Sequence, residues 1–438
     1  MSEYRDALER QAERFDLPSG ALDRLFERQR QKARNRRVAA AATAFLVAGV
    51  GIGVAAIAFR GRSQLLPPEP ITPANVSSLQ LVWTANLGAP TSAPVVSGDA
   101  VYLTAGEPGG NLKLYAFPTS CDSEACRPSW YADLGRTHRL TRPAVAAGRV
   151  FATGDRLYAF TVRCEADGGR CDPIWTTRST RPALYSSPAV AEGIVYVTTG
   201  RGLEAYRASG AGSDIRPLWR GPSGASLNPP AVGGGNVYTV SHSMGLSAYA
   251  VECGMEGKTC QPLWRAIVAS SDSAGVTATD RAVYATAARL YSFSTDCGSP
   301  RCDLLWLAKG IRSIGITPPV LSEGEVYVGG DRLYAFAAEC GSESCPPVWV
   351  GPRQSDPSLP EPRTWSLPAV RPNMVFSSTD RPYAFRAGCA EKGAECAPLW
   401  VGPPLAGAAL TAVGVSDRLV VLTASDGSIR AFAVTADS

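Results

Sequence analysis

Residues 326–336 read Val-Tyr-Val-Gly-Gly-Asp-Arg-Leu-Tyr-Ala-Phe. Two runs of β-branched and aromatic residues flank a Gly-rich turn, which indicates two antiparallel strands joined by a short connection. A short apolar segment, often opened by Pro, stands before such a pair, and a segment that begins with Trp stands after it. The stretch therefore predicts a unit of four short consecutive strands.

This four-strand unit recurs along most of the chain. Its third strand begins at Leu114, Leu157, Leu203, Leu246, Leu290, Leu333, Pro382 and Ile429, and successive starts lie 43 to 49 residues apart. The Trp of the fourth strand keeps nearly the same spacing, at Trp83, Trp130, Trp175, Trp219, Trp264, Trp306, Trp349 and Trp400. A period of 40 to 50 residues that carries four strands is typical of a β-propeller blade.

The two ends of the array indicate how it closes. Trp83 precedes the first complete set of strands, whereas the last set, residues 411–434, has no Trp strand after it. The N-terminal Trp83 strand can supply the missing outer strand, which would leave no open sheet edge. We therefore predict an all-β, eight-bladed propeller of four-stranded blades over residues 75–438, where length alone would suggest two or three domains.

The segment before the propeller predicts a membrane anchor. Residues 38–59 are uncharged and apolar, and as a helix they would cover the hydrocarbon thickness of about 30 Å. Six basic residues precede this span, at Arg28, Arg30, Lys32, Arg34, Arg36 and Arg37, and only Arg60 and Arg62 follow it closely. This bias places the N-terminus in the cytoplasm and the propeller outside. A cleaved signal peptide is the alternative, although 37 preceding residues exceed a usual n-region.

Two further segments flank the predicted transmembrane helix. Residues 1–37 form a charged, amphipathic leader, which either binds a cytoplasmic partner or is simply solvated. Residues 60–74 are expected to be a linker to the propeller.

The twelve cysteines occur as six pairs, each between a third strand and the following Trp strand. The pairs are Cys121 with Cys126, Cys164 with Cys171, Cys253 with Cys260, Cys297 with Cys302, Cys340 with Cys345, and Cys389 with Cys396. Because the separations of 5 and 7 are odd, the two side chains are expected to face each other in an antiparallel hairpin. A zinc site competes, but it would need a second half-site nearby. We expect six disulfides, which require an oxidising compartment.

Composition and motifs argue against several functional classes. The net charge of +4 does not favour nucleic acid as a partner. The chain has two histidines, His138 and His242, so a multi-His metal site is excluded. No phosphate-binding loop, nucleophile elbow or metalloprotease motif occurs. The sequence thus assigns no catalytic or metal-binding residue, favours a non-enzymatic protein, and leaves residual catalysis open.

The stretch from Ile71-Thr72-Pro73-Ala74-Asn75-Val76 to Trp83, followed by Ser92-Ala93-Pro94-Val95-Val96, resembles the start of the propeller of quinoprotein alcohol dehydrogenases. The Leu-Tyr-Ala-Phe and Trp units are equally similar to the outer-membrane assembly lipoprotein of the same fold. The resemblance is to the PQQ-type repeat propellers, and it implies that ligands bind on the face opposite the cysteine hairpins. The dehydrogenases hold a quinone against two adjacent cysteines and a calcium ion, and this sequence has no adjacent cysteines. PQQ and calcium are therefore expected only if the chain is a dehydrogenase with a degenerate site.

Candidate binding residues lie in the connections between blades, whose sequences vary where the strands do not. Arg142 and Asn228 each stand just before an inner strand and are expected at the mouth of the central channel. The longest connection contains Arg363 and Trp365. Trp365 is either an exposed partner contact or a cover for the neighbouring blade.

These observations favour a membrane-anchored, single-pass, extracytoplasmic propeller of a bacterial envelope that binds a protein or an envelope component. Two alternatives remain open. One is the quinone-dependent dehydrogenase with a degenerate site. The other is a transmembrane sensor whose cytoplasmic leader binds a regulator.

Overall fold

The computed structural model describes residues 68–137, 139–164, 168–178, 185–224, 227–254, 258–269, 274–298, 300–311, 317–353, 364–389, 394–404 and 410–435. In this part the strands form eight sheets, and the short 3-10 helix Val76–Ser78 precedes them. Each sheet is one blade of a closed ring. The predicted all-β, eight-bladed propeller is therefore confirmed.

Each blade has four strands, which we name by their position from the central channel outward. The inner strands are Val95–Ser97, Ala144–Ala146, Ala189–Ala191, Ala231–Gly233, Gly275–Ala278, Val320–Ser322, Ala369–Arg371 and Leu410–Val415. The second strands are Ala100–Ala105, Arg149–Thr153, Ile194–Thr199, Asn236–Ser241, Ala282–Thr286, Glu325–Gly329, Met374–Ser378 and Val420–Ala424. The third strands are Asn111–Pro118, Leu157–Thr161, Gly202–Arg207, Gly245–Ala250, Leu290–Ser294, Leu333–Ala337, Pro382–Arg386 and Ser428–Ala433. The outer strands of blades 1 to 7 are Trp130–Arg136, Trp175–Thr177, Trp219–Gly221, Trp264–Ala266, Leu304–Ala308, Trp349–Val350 and Trp400–Val401.

The hydrophobic core is divided among the junctions between blades. Second and third strands are buried along nearly their whole length, because both faces of each sheet pack against a neighbouring blade. Tyr102 and Trp130 of blade 1, for example, pack against Phe160 of blade 2. Such double-sided burial explains why these strands read as apolar runs without a polar face.

The ring closes by pairing its two ends. The N-terminal strand Gln80–Asn86 is the outer strand of blade 8 and pairs antiparallel with Ser428–Ala433, with Trp83 opposite Ala431. This closure is the one that the position of Trp83 predicts. The preceding segment also packs on the ring, since buried Ile71 and Val76 share a cluster with Phe432. The predicted linker covers residues 60–74, and its C-terminal end is thus part of the propeller.

Antiparallel pairing gives the ring two distinct faces. The connections between blades and the turns between second and third strands lie on one face, which we call the connection face. The turns between inner and second strands and the hairpins between third and outer strands lie on the other, the hairpin face. The chain enters the ring on the hairpin face, where Ile71 N donates to the carbonyl of Asp417 at 2.7 Å.

The structure pairs the twelve cysteines as six disulfides in the predicted combinations, with Cα–Cα distances of 5.3 to 6.0 Å. The expected reason for the pairing, a simple antiparallel hairpin, is wrong. The half of the hairpin with the second cysteine instead runs parallel to the outer strand of the preceding blade, as Ser344–Cys345 does beside Leu304–Ala308. Each disulfide hairpin therefore also bridges a blade junction.

The predicted leader, residues 1–37, and the predicted transmembrane helix, residues 38–59, lie outside the described residues. Within the described part, which begins at Pro68, no helix has the length and apolar character needed to cross a membrane.

Candidate functional site

The central channel is lined by the inner strands of the blades. Each inner strand is an edge of its sheet, hydrogen-bonded on one side only, and inner strands of neighbouring blades contact one another around the ring. Their residues are mostly small, such as Ala144–Ala146 and Ala189–Ala191, and half-buried. The wall of the channel thus offers backbone N–H and C=O groups and small apolar side chains to a ligand.

A belt of buried hydroxyl groups fixes the mouth of this channel on the connection face. The hydroxyl of Thr104 in the second strand of blade 1 donates to the carbonyl of Thr141, 2.7 Å away, just before the inner strand of blade 2. Thr153 donates in the same way to Ser186 at 2.9 Å, and Thr198 to Asn228 at 2.8 Å. These bonds hold the start of one inner strand against the preceding blade, so the mouth is preorganised.

Arg142 lies at this mouth, just before the inner strand of blade 2. Its backbone N–H donates to Ser187 Oγ at 2.8 Å, which ties two successive connections together. Burial lowers the pKa of the Arg142 guanidinium from its ordinary value, although the side chain is exposed to solvent. A lowered pKa and an exposed side chain occur together when the side chain extends into a water-filled channel mouth with protein on most sides. The guanidinium remains charged at neutral pH and can bind an anion.

Asn228 also lies at the mouth, but its groups serve the scaffold. The side-chain amide donates to the carbonyl of Val240 at 3.3 Å, and the backbone carbonyl accepts the hydroxyl of Thr198. Half-buried Asn228 therefore fixes the connection between blades 3 and 4.

Trp365 is 2% exposed and packs between blades 6 and 7 against Tyr383 and Phe385, with ring centroids 5.0 and 5.8 Å away. Its side chain is a cover for the neighbouring blade, the second of the two alternatives, and not an exposed contact. Gly329 permits this path, because a Cβ there would lie 2.5 Å from the carbonyl oxygen of Trp365. Arg363 lies outside the described residues.

Charge is divided unequally between the two faces. Ten basic residues occupy the described connections and turns of the connection face, Arg139, Arg142, Arg156, Arg178, Arg201, Arg289, Lys309, Arg332, Arg353 and Arg381. Five acidic residues accompany them, Glu107, Asp155, Asp331, Asp380 and Asp426. Asp155 and Asp380 each form an ion pair with the adjacent arginine. The connection face is therefore basic.

The hairpin face carries the opposite excess. Its described turns and hairpins hold fourteen exposed acidic residues, Asp99, Asp122, Glu124, Asp172, Glu192, Asp214, Glu252, Asp280, Asp296, Asp303, Glu323, Glu339, Glu343 and Asp417. Another exposed hairpin residue, Glu395, instead pairs with Arg332 of the connection face at 3.1 Å. Eight exposed basic residues stand among these acidic residues, Arg127, Arg163, Arg170, Arg216, Lys258, Arg281, Arg301 and Arg418. The small net charge of the chain thus conceals two faces of opposite sign. The sequence could have indicated this, since consecutive strand ends alternate between the faces.

A groove on the hairpin face lies between blades 5 and 6. It has a volume of 760 Å³ and is lined by Tyr284, Trp306, Leu305, Asp280 and Glu339 among others. Its two carboxylates are exposed and add to the acidic character of that face.

The described residues do not fit the quinone-dependent alternative. All six disulfides lie in the hairpins, away from the connection face, and no group of three or more His, Cys, Asp or Glu side chains in the described part could hold a metal ion. The charged side chain that we place at the channel mouth, Arg142, would repel a calcium ion. His242 lies exposed in a turn, and His138 lies outside the described residues.

Sequence reasoning missed one buried charge. Glu204 is 2% exposed in the third strand of blade 3, at the position where five other blades have Tyr. Its carboxylate accepts hydrogen bonds from Arg220 Nε at 3.0 Å and from the Tyr206 hydroxyl at 2.6 Å. The departure from the repeat was the only signal in the sequence.

The fold and the channel mouth define a closed eight-bladed propeller with a preorganised, basic connection face. The family model described as outer membrane protein assembly factor BamB matches residues 118–301. No curated protein sequence matches the chain significantly. This match and the structural likenesses below support a PQQ-type repeat β-propeller.

Three solved structures illustrate the likeness. The computationally designed Ika8 protein has 13% identity and a TM-score of 0.60, over 81% of this chain and 99% of its own. BamB from Moraxella catarrhalis has 12% identity and a TM-score of 0.54, over 81% and 97%. The quinohemoprotein alcohol dehydrogenase from Comamonas testosteroni has 13% identity and a TM-score of 0.56, over 84% and 78%. At these identities the likeness concerns the fold alone.

Proposed function

We propose that the protein is a non-enzymatic, membrane-anchored, extracytoplasmic propeller whose connection face binds a protein or another component of the cell envelope. The observation that carries this proposal is the combination of a preorganised channel mouth with a basic face that is opposite in charge to the hairpin face. Electrostatic complementarity of this kind orients a partner and speeds association. BamB is described as an assembly factor, and such a role is consistent with a scaffolding function of this propeller.

The proposed location rests on two independent features. Six disulfides persist only in an oxidising compartment. The apolar residues 38–59, with their excess of basic residues on the N-terminal side, favour a single span with the N-terminus in the cytoplasm. Both features support a propeller outside the cytoplasm.

The location is tested in intact cells and in membrane vesicles of opposite orientation. Protease added outside should leave the propeller resistant and cleave the linker, whereas protease inside should remove residues 1–37 only. A linker that resists protease added outside, together with free thiols at the cysteines of the propeller, would contradict the proposed topology.

The binding face is tested with a photocrosslinking amino acid placed at Arg201 or at Glu192. Both positions are exposed on blade 3, but they lie on the connection face and the hairpin face respectively. In native membranes we expect a discrete crosslinked species from position 201 and none from position 192. Crosslinking from position 192 alone, or from neither, would refute the proposal.

A further inference from the structure

Three of the ten basic residues of the connection face, Arg156, Arg332 and Arg381, form ion pairs with carboxylates. Of the other seven, four lie over blades 1 to 3. Arg139 and Arg142 lie in the connection between blades 1 and 2, Arg178 in the next connection, and Arg201 in the turn of blade 3. We call these four residues the arginine sector. All four side chains are exposed, and none pairs with a carboxylate among the described residues. They are therefore available to a partner.

A continuous set of contacts holds the sector together. The Tyr185 hydroxyl donates to the carbonyl of Arg178 at 3.5 Å, and Tyr185 forms an antiparallel bridge with Thr199. Thr199 Oγ1 in turn accepts the backbone N–H of Arg201 at 3.1 Å. With the Arg142 to Ser187 bond, these contacts place Arg142, Arg178 and Arg201 on one connected, ordered surface beside the channel. Arg139 stands three residues before Arg142 in the same connection.

The chemistry of the sector favours carboxylates. Four guanidinium groups, with no Lys among them, suit planar, bidentate recognition of carboxylate or phosphate. The adjoining channel wall adds unpaired edges of inner strands and small side chains such as those of Ala144–Ala146. Edge strands can exchange backbone hydrogen bonds with an extended peptide, which a phosphate polymer or a lipid surface cannot do.

We propose that the arginine sector recognises an acidic, extended polypeptide segment of a partner protein. The inference rests on the proposed binding function and names the chemistry of the partner. The acidic hairpin face repels the same segment, so a partner is directed to one side of the ring. Because the sector is exposed, its attraction is screened over about 10 Å at 0.1 M salt, and binding should weaken as salt rises.

The test titrates full-length protein in detergent into a fluorescent Glu-rich peptide and a matched Gln-rich peptide. One variant replaces the sector, R139Q/R142Q/R178Q/R201Q. A control variant removes the same charge from exposed positions at the hairpin face, R127Q/R216Q/R281Q/R386Q. We expect the sector variant to lose affinity for the Glu-rich peptide about tenfold or more, the control to change it less than about twofold, and the Gln-rich peptide to bind neither.

Equal losses in the two variants would overturn the proposal, since net charge and not the sector would then govern binding. Tighter sector-dependent binding of polyphosphate or of phosphatidylglycerol vesicles would also overturn it and assign a different partner class. Crosslinking from position 201 without sector-dependent peptide binding would refute this inference and leave the proposed function intact. Circular dichroism checks that each variant is folded.

Discussion

The backbone N–H of Cys260 donates a hydrogen bond to the carbonyl oxygen of Arg220, 2.7 Å away, across the junction between blades 4 and 3. Cys260 is disulfide-bonded to Cys253 in its own hairpin, whereas Arg220 belongs to the outer strand of the preceding blade. This disulfide therefore orders a hairpin that also holds blades 3 and 4 together.

The same relationship recurs around the ring. Cys126 N donates to Thr84 at 2.7 Å and Cys396 N to Val350 at 2.8 Å, each in the preceding blade. The hairpin of blade 3 has no cysteines but still pairs in parallel, through Gly212–Ile215, with the outer strand of blade 2. Parallel bridging is thus general, and the disulfides reinforce it at six places.

Removing one disulfide should lower the stability of the propeller without changing its fold. In the chain-entropy model a loop of this size contributes about 2 kcal/mol, so we expect C253S/C260S to lower the free energy of unfolding by that amount. Urea denaturation measures the difference. On reduction, the free energy of unfolding of the variant should fall by less than that of the wild-type protein. Identical midpoints with and without the disulfide would contradict a stabilising role.

Closure of the ring depends on Trp83, which is 1% exposed and donates its indole N–H to the carbonyl of Thr119 at 3.1 Å. We expect Trp83→Ala to destabilise the propeller by about 3 to 5 kcal/mol, since it leaves a large cavity at the junction of blades 8 and 1. Leu81→Ala, in the same strand but 51% exposed, is the control and should cost less than about 0.5 kcal/mol. Thermal unfolding compares the two. Equal effects would show that the end-to-end pairing is not part of the cooperative unit.

The blades could be predicted from the sequence, but the parallel pairing between neighbouring blades could not. Each blade repeats the same burial, so the period of the Trp and Tyr positions could be predicted from pattern alone. The parallel bridge between Thr84 and Ala125 joins residues from different repeats, and no local pattern encodes it. Similarly, the burial of Trp365 depends on how its connection crosses Gly329, which is a tertiary feature. For the candidate site, the position of Arg142 before an inner strand was enough to expect it at the channel mouth. Grouping the four residues of the arginine sector also required knowing on which face of the ring each connection and turn lies.

The buried carboxylate of Glu204 makes Arg220 more important than its exposure suggests. Arg220→Met would leave a buried acceptor without its charged donor, and we expect a loss of about 1 to 3 kcal/mol. Arg265→Met is the matched control, because Arg265 holds the same place in blade 4 but stands opposite Ser247. Its effect should stay below about 0.5 kcal/mol. The double variant E204Q/R220M should recover part of the loss in urea denaturation, and a loss as large as that of the single variant would refute the pairing.

Buried tyrosines predict the alkaline limit of stability. Burial raises the pKa of Tyr102, Tyr249 and Tyr284 to about 12 in each case. Their hydroxyls donate to carbonyls across blade junctions, as Tyr102 does to Val162 at 3.1 Å and Tyr284 to Ala338 at 3.2 Å. The ordinary pKa of Tyr is 10.0, so the folded protein favours the neutral phenol. The tyrosine contribution is therefore fully present below pH 10 and is lost as pH rises from 10 towards 12.

Tyrosinate absorbance and near-ultraviolet circular dichroism, recorded together across this range, measure the transition. We expect the buried tyrosines to ionise together with the loss of tertiary structure, above the pH at which exposed tyrosines titrate. Tyr102→Phe removes one ionising group and should shift the transition to higher pH. The variant also loses the hydrogen bond of Tyr102, so its stability at pH 7 is measured separately and that difference is subtracted. Complete ionisation near pH 10 with an intact dichroism spectrum would contradict burial of these phenols at the blade junctions.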